Sequence, residues 1–235
     1  AEPIGSAEEQ FLKSMLHPLW DLRLDVGHHL REIADLEQPD INNPEFLVSL
    51  LEARYLDGDT ALFEQLTRIC NSSKAPWRDP ILKALLNLIE QRHAQFNRTL
   101  YQLEPDVKNA PGALRDVSAI RMIGQLLDLH RHPNLDIGKV SEAEDFLLRI
   151  RSILHLDRRR NLNVLSHELQ ETAAKLFGSP GEQLARQVET LMSTYFHHAR
   201  IINRALKSSL KALATEPDVP AVPLADGLER RGNEI

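Results

Sequence analysis

The feature that most restricts what this chain can fold into is the spacing of apolar residues in its C-terminal half. Between residues 181 and 213 they recur every three or four positions, which places them on one face of an α-helix. The stripe consists of Leu184, Val188, Leu191, Met192, Tyr195, Ala199, Ile202, Ala205, Leu206 and Leu210. The same spacing predicts helices over residues 44–56, 59–70, 77–100, 113–130, 141–156 and 164–177. We therefore expect a mainly α protein built as a helical bundle.

Local signals predict where two of these helices begin and end. Ser141 lies three residues before Glu144, which is typical of a capping box at a helix start. Gly178 followed by Pro180 is typical of a helix end.

Residues 22–33 depart from the helical spacing. Leu22, Leu24 and Val26 alternate with polar residues, which is the period of a half-buried strand. A single strand leaves its backbone groups unpaired, so its partner strands are expected outside this chain. The chain also starts without Met, and its proline-rich residues 214–223 indicate a linker. These features indicate a piece of a longer protein.

Composition excludes several classes of function. The chain has 28 Lys and Arg against 34 Asp and Glu, a net charge of −6, whereas proteins that hold nucleic acid phosphates are usually basic. No apolar run reaches the roughly 20 residues that span a bilayer. The single cysteine, Cys70, cannot form an internal disulfide and fits a reducing compartment. We expect a cytoplasmic protein that binds neither nucleic acid nor a membrane.

The densest group of polar residues lies in the loop of residues 104–116. Lys108 lies in a turn, Gly112 precedes a helix start and Arg115 falls in the first helical turn. Two cations beside unpaired backbone N–H groups would suit a phosphate or triphosphate. The alternative is a structural loop, in which Asp116 stabilises the helix N-terminus and Arg115 pairs with a neighbouring carboxylate.

Two other groups of residues have a functional and a structural interpretation. The arginines of residues 149–160 could form a phosphate-facing patch or the solvated end of a helix. Six of the ten histidines occur in pairs whose members are adjacent or two apart, and adjacent side chains on a helix point in different directions. These pairs are His28 with His29, His130 with His132, and His197 with His198. We expect no metal site built from this chain alone.

Four stretches resemble motifs of one family. Residues 19–28 contain Leu-Trp-Asp and Val-Gly-His, and residues 50–54 read Leu-Leu-Glu-Ala-Arg. Residues 105–108 read Pro-Asp-Val-Lys, and residues 112–116 read Gly-Ala-Leu-Arg-Asp. The fourth stretch combines Leu-Arg-Ile-Arg at 148–151, Leu-His-Leu at 154–156 and Gln170. Together they resemble the bacterial PII uridylyltransferase and uridylyl-removing enzymes, from residue 9 to residue 232.

The resemblance implies a division of the chain and an activity. Residues 1–70 would be the C-terminal remnant of a nucleotidyltransferase domain, including its last short strand. Residues 71–213 would be the helical bundle that forms a wall of the nucleotide cleft, and 214–235 a linker to a further domain. The parent enzyme would transfer UMP from UTP to a tyrosine of a PII regulator, using Mg²⁺. Because the metal-binding strands lie upstream in that family, we expect this chain alone to be inactive.

The resemblance also implies site residues. Lys108 and Arg115 would contact the triphosphate. The predicted nucleotide-binding set is completed by Gly112, Asp116, Arg149 and Arg151. Asp25, between Leu24 and Val26, would be a third catalytic carboxylate, with Glu32 as an alternative.

Two departures from the family pattern keep other functions open. Ala113 stands where the family has a second glycine, and Asn163-Val164 where it often has Asp-Arg. Both favour a second hypothesis, a catalytically silent helical module that binds a partner protein. A third is the helical domain of a glutamine synthetase adenylyltransferase, which the Val-Gly-His stretch disfavours.

Overall fold

The computed structural model describes residues 5–24, 26–33, 36, 43–70, 78–127, 136–178, 181–214, 222–223 and 229–230. The helices are α1 (Ser6–Asp21), α2 (Pro44–Ser49), α3 (Thr60–Cys70), α4 (Arg78–Ala94), α5 (Leu114–Leu127), α6 (Ile137–Arg158), α7 (His167–Phe177) and α8 (Leu184–Ala214). A 3₁₀ turn, Leu50–Glu52, follows α2. Two-residue strands β1 (Val222–Pro223) and β2 (Glu229–Arg230) pair antiparallel. The mainly α prediction is confirmed.

The chain divides into two compact units, residues 1–84 and 85–235, with the boundary inside α4. In the first unit, the side chain of Asn43 accepts a hydrogen bond from the backbone N–H of Phe46 at 3.0 Å and so caps α2. Helix α2 packs against the 3₁₀ turn.

The second unit is built around α8, which packs against α5, α6 and α7. The predicted stripe faces this core. Its fully buried members are Leu191, Tyr195, Ala199, Ile202 and Leu206. Because one long helix serves three neighbours, its apolar face fixes the arrangement of the whole unit.

The predicted boundaries hold for some helices and fail for others. Gly178 does end α7, and a Cβ at this position would lie 2.8 Å from the carbonyl oxygen of Ala174. The predicted start of α6 at Ser141 is wrong, because the side chain of Asp136 accepts from the N–H of Lys139 at 3.1 Å and starts the helix earlier. That hydrogen bond holds the pKa of Asp136 below its usual value.

The predicted N-terminal strand is wrong. Helix α1 runs to Asp21, and the N–H of Leu22 then donates to the carbonyl of Pro18 (3.1 Å). The N–H of Leu24 donates to the carbonyl of Leu19 (3.1 Å), so the backbone is used to end the helix rather than to pair with a strand. Residues 26–32 have no strand structure either. Asp25 lies outside the described residues.

None of the helices in the described part of the chain combines the length and the apolar character needed to cross a membrane.

Candidate functional site

Residues 104–116, which are the end of the loop between α4 and α5 and the first residues of α5, contain four of the seven predicted site residues. This loop is paired with the segment between α6 and α7. Asp106 and Val164 form an isolated antiparallel bridge. The N–H of Val107 donates to the carbonyl of Asn163 (2.8 Å), and the N–H of Leu165 to that of Pro105 (2.9 Å). The loop therefore has a fixed position relative to the end of α6.

Side chains attach the same loop to α7. Glu104 Oε1 accepts from the N–H of His167 at 2.9 Å, which satisfies a free donor at the helix start. The amide of Gln170 is buried and donates to the carbonyls of Leu103 (2.8 Å) and Leu165 (3.1 Å). Because these two carbonyls belong to different segments of the chain, the buried amide holds the two segments together.

The backbone N–H groups of the turn are already paired, so the expectation of unpaired donors is wrong. Asp106 Oδ1 accepts from the N–H of Lys108 (2.8 Å) and of Asn109 (2.7 Å). Three further N–H groups donate to carbonyls within the loop: Ala113 to Ala110 (3.0 Å), Leu114 to Val107 (3.2 Å) and Arg115 to Lys108 (2.9 Å). An anion bound here would be held by side chains.

Asp116 is the buried centre of the site. Its Oδ1 lies 2.7 Å from Nη2 of Arg92 and 2.8 Å from Nε2 of His93, and its Oδ2 accepts from the N–H of Gly112 at 2.7 Å. The side chain has no exposed surface. Arg92 also donates to the carbonyl of Asn109 at 3.0 Å. Asp116 therefore contacts protein groups and holds the loop in place.

Gly112 is held by both its backbone conformation and its packing. Its φ of +78° lies in the left-handed region, and a Cβ would lie 2.5 Å from the carbonyl oxygen of Ala199 on α8. The next residue, Ala113, is fully buried. Its methyl group therefore lies in the protein interior, not on a surface that a ligand could reach.

Lys108 and Arg115, the two predicted triphosphate contacts, begin from neighbouring points of the backbone, because the Arg115 N–H donates to the Lys108 carbonyl. Lys108 is half-buried and contacts its surroundings. The Arg115 side chain is exposed and makes no ion pair with a described residue. The backbones of these two residues are thus adjacent, and no described residue is the carboxylate partner that the structural alternative gave to Arg115.

The other two predicted arginines lie in different surroundings. Arg151 Nε donates to the side chain of Asn163 at 2.8 Å, and so supports the segment that pairs with the loop. The guanidinium of Arg149 lies over the ring of Phe177, 4.7 Å from its centroid. Arg149 lines an open groove of about 500 Å³ between α6 and α7, together with Leu148 and Leu176.

The described residues do not fit a magnesium site. No group of three or more His, Cys, Asp or Glu side chains among them could hold a metal ion. Asp106 and Asp116 accept hydrogen bonds through both carboxylate oxygens. Glu32 has a contact within the structure and lies in an irregular segment.

Arg92 and His93 are the residues of this site that the sequence analysis missed. They lie in the last turn of α4, more than twenty residues before Asp116. Cations in a last helical turn normally serve the helix dipole, so the sequence pattern offers no sign of a distant buried partner.

A buried phenol lies close to the same loop. Tyr195 is fully buried, and its hydroxyl has no hydrogen-bond partner in the described part of the chain. Burial, and secondly the negative charge of Asp106, raise the pKa of Tyr195 above its ordinary value. The neutral phenol is therefore favoured in the folded state.

We expect Tyr195 to make the protein sensitive to alkali. Folding raises the pKa of Tyr195. Its contribution to the free energy of unfolding is therefore complete below the unfolded tyrosine pKa near 10, and it is lost as the pH rises above that value. The Tyr195→Phe variant should lose this dependence, which amounts to about 1.4 kcal/mol per pH unit. Urea unfolding between pH 9 and 11.5 measures it. Tyr101→Phe, which removes an exposed phenol, is the control, and equal slopes for both variants would contradict the assignment.

The fold and the loop define a mainly helical domain that presents two cations beside a helix start. Comparison with known proteins assigns the domain, because the family model of GlnD PII-uridylyltransferase matches residues 81–210, more than half of the chain. The chain belongs to this family, which confirms the resemblance seen in its motifs.

Three curated relatives illustrate the match, each a bifunctional uridylyltransferase/uridylyl-removing enzyme. That of Photobacterium profundum is 31% identical over 100% of this chain and 28% of its own length. That of Pasteurella multocida is 32% identical over 86% of this chain and 24% of its own length. That of Vibrio vulnificus (strain YJ016) is 30% identical over 97% of this chain and 28% of its own length. The chain thus spans about a quarter of the length of these relatives. No solved structure matches it.

Proposed function

We propose that this chain is part of a cytoplasmic enzyme that transfers UMP from UTP, in the presence of Mg²⁺, to a tyrosine of a PII-type signal protein. The helical bundle of residues 71–213 would form a wall of the nucleotide cleft. Residues 1–70 would be the remnant of the nucleotidyltransferase domain, and residues 214–235 a linker. The chain alone would bind nucleotide without turning it over.

The observation that carries the proposal is the juxtaposition of Lys108 and Arg115. Their backbones are hydrogen-bonded to each other at 2.9 Å, so the two cationic side chains start from adjacent points of the chain. A triphosphate carries several negative charges, and charge-assisted contacts from Lys and Arg are the strong ones. The matched family region also contains the whole loop.

The other predicted residues have different roles in this proposal. Gly112 and Asp116 are buried, so they hold the loop rather than contact the ligand. Arg151 supports the loop through Asn163. Arg149 would extend the cationic surface along α6. Asp25 stays a predicted catalytic carboxylate.

We expect Lys108→Ala and Arg115→Ala each to weaken binding of UTP by about tenfold or more, because each removes one charge-assisted contact. Calorimetric titration of each variant with UTP and Mg²⁺ measures the change. The thermal unfolding temperature should stay close to that of the wild type for Arg115→Ala, since that side chain is exposed.

Arg186→Ala provides the matched control. Arg186 is an exposed cation on α8, thirteen residues from the Ala199 that contacts the loop glycine, a distance of about 20 Å along a helix. Its removal should leave the UTP affinity unchanged. Equal affinities for the wild type, Lys108→Ala and Arg115→Ala would contradict the phosphate contacts.

A second candidate function is a helical module that binds a partner protein. The groove between α6 and α7 favours it, because Leu148 and Leu176 are exposed there beside the stacked Arg149. Exposed apolar side chains beside a fixed arginine are typical of protein interfaces. Leu176→Ser should then abolish partner binding and leave the nucleotide affinity unchanged. If the domain is only a wall of the nucleotide cleft, Leu176→Ser should change neither partner binding nor nucleotide affinity.

A further inference from the structure

Arg92 and His93 hold both arms of the loop that carries the two cations. Both side chains contact Asp116, which is the residue that follows Arg115. Arg92 also donates through Nη1 to the carbonyl of Asn109, the residue that follows Lys108. One guanidinium therefore touches the neighbour of each proposed phosphate contact.

The network is well shielded from water. The side chain of Asp116 has no exposed surface, and the side chains of Arg92 and His93 are each 15% exposed. The ion pair between Arg92 and Asp116 is screened little by solvent in such surroundings, so removing either partner leaves a buried charge without compensation. The position of the loop therefore depends on each member of the network.

We propose that Arg92 and His93 are positioning residues that act through Asp116 to set the separation of Lys108 and Arg115, and thereby the affinity for a nucleoside triphosphate. This inference rests on the proposed function. Neither residue contacts the nucleotide in it. A loop fixed in advance loses less conformational entropy when a ligand binds, so its cations bind more tightly.

Arg92 is suited to this role by its shape. A guanidinium is planar and offers donors in two directions, here to the Asp116 carboxylate and the Asn109 carbonyl. Lysine at this position keeps the charge but cannot reproduce the fork. Arg92→Lys should therefore leave the loop much less firmly positioned. His93→Gln keeps an N–H donor, so it should hold the loop better than His93→Ala does.

Two measurements on the full chain test the inference. Amide hydrogen exchange of Lys108, Asn109 and Gly112 reports the loop directly, and titration with UTP and Mg²⁺ reports its consequence. We expect Arg92→Lys and His93→Ala to accelerate exchange at these amides by about tenfold and to weaken UTP binding by a similar factor. His93→Gln should restore most of both. Arg121→Ala, which breaks the exposed ion pair with Glu144, should change neither.

A double variant distinguishes positioning from simple loss of stability. In a Lys108→Ala, Arg115→Ala background, Arg92→Lys should still accelerate exchange but should not weaken UTP binding further. An equal loss of UTP affinity in both backgrounds would overturn the inference. So would unchanged exchange in the loop, or faster exchange with unchanged UTP affinity. If the wild type binds no UTP, the proposed function is wrong, and accelerated exchange would then support only the part of the inference that concerns the loop.

Discussion

Replacing Gly112 with alanine should lower the free energy of unfolding by about 3 kcal/mol or more. Two separate costs contribute. A side chain at a φ of +78° is strained by about 1–2 kcal/mol. The new Cβ would also lie 2.5 Å from the carbonyl oxygen of Ala199, a backbone atom of the central helix, and overpacking of this kind costs about 1–3 kcal/mol. Urea unfolding of the variant measures the sum.

Gly181→Ala separates these two costs. Gly181 has a similar φ of +87°, but a Cβ at this position would meet no atom within 4 Å. Gly181→Ala should therefore be destabilised only by the backbone strain, about 1–2 kcal/mol. Equal losses in both variants would show that the close approach to α8 contributes nothing, contrary to the packing described above.

Replacing Asp116 with alanine should be the most damaging single change to the loop, at a cost of about 3–5 kcal/mol. The variant leaves Arg92, His93 and the N–H of Gly112 without their common acceptor in a buried place. Asp116→Asn keeps one acceptor oxygen and should cost less. The free energy of unfolding in urea again provides the measurement.

Asp145→Ala is the matched control for this change. Asp145 is an exposed carboxylate on α6, and surface substitutions of this kind usually change stability by less than about 0.5 kcal/mol. If Asp116→Ala cost no more than Asp145→Ala, the buried network would not be holding the loop.

The helical framework could be predicted because its signal is long and repeated. The stripe on α8 continues over about seven turns, and its members in the middle of the helix, from Leu191 to Leu206, include the five that are buried. The strand prediction depended on only three alternating residues. In the structure Leu22 is 72% exposed and Leu24 51% exposed, so the alternation corresponds to no buried face. Short alternation is weak evidence because a helix end can produce it by chance.

Competition between capping residues explains the misplaced start of α6. Ser141 and Asp136 can both accept from backbone N–H groups, and the sequence alone does not say which one does. Asp136 caps the helix, so Ser141 lies inside it.

The position of the loop could be predicted from its residue types, but its internal hydrogen bonds could not. The pairing of Asp106 and Asp116 with specific N–H groups is a matter of geometry within the turn. Arg92 and His93 reach Asp116 across more than twenty residues, and no spacing rule connects them. Long-range polar networks of this kind become visible only when the packing that buries them is known.

Binding of a uridine nucleotide through Lys108 and Arg115 is the proposed role of this loop. Calorimetric titration of the wild-type chain with UTP, CTP and ATP, each with Mg²⁺, tests it most directly because it does not require catalysis. We expect UTP to bind with a Kd of about 1 mM or tighter, and CTP and ATP to bind more weakly. Binding of none of the three nucleotides would contradict the phosphate contacts, and equal binding of all three would contradict the preference for uridine.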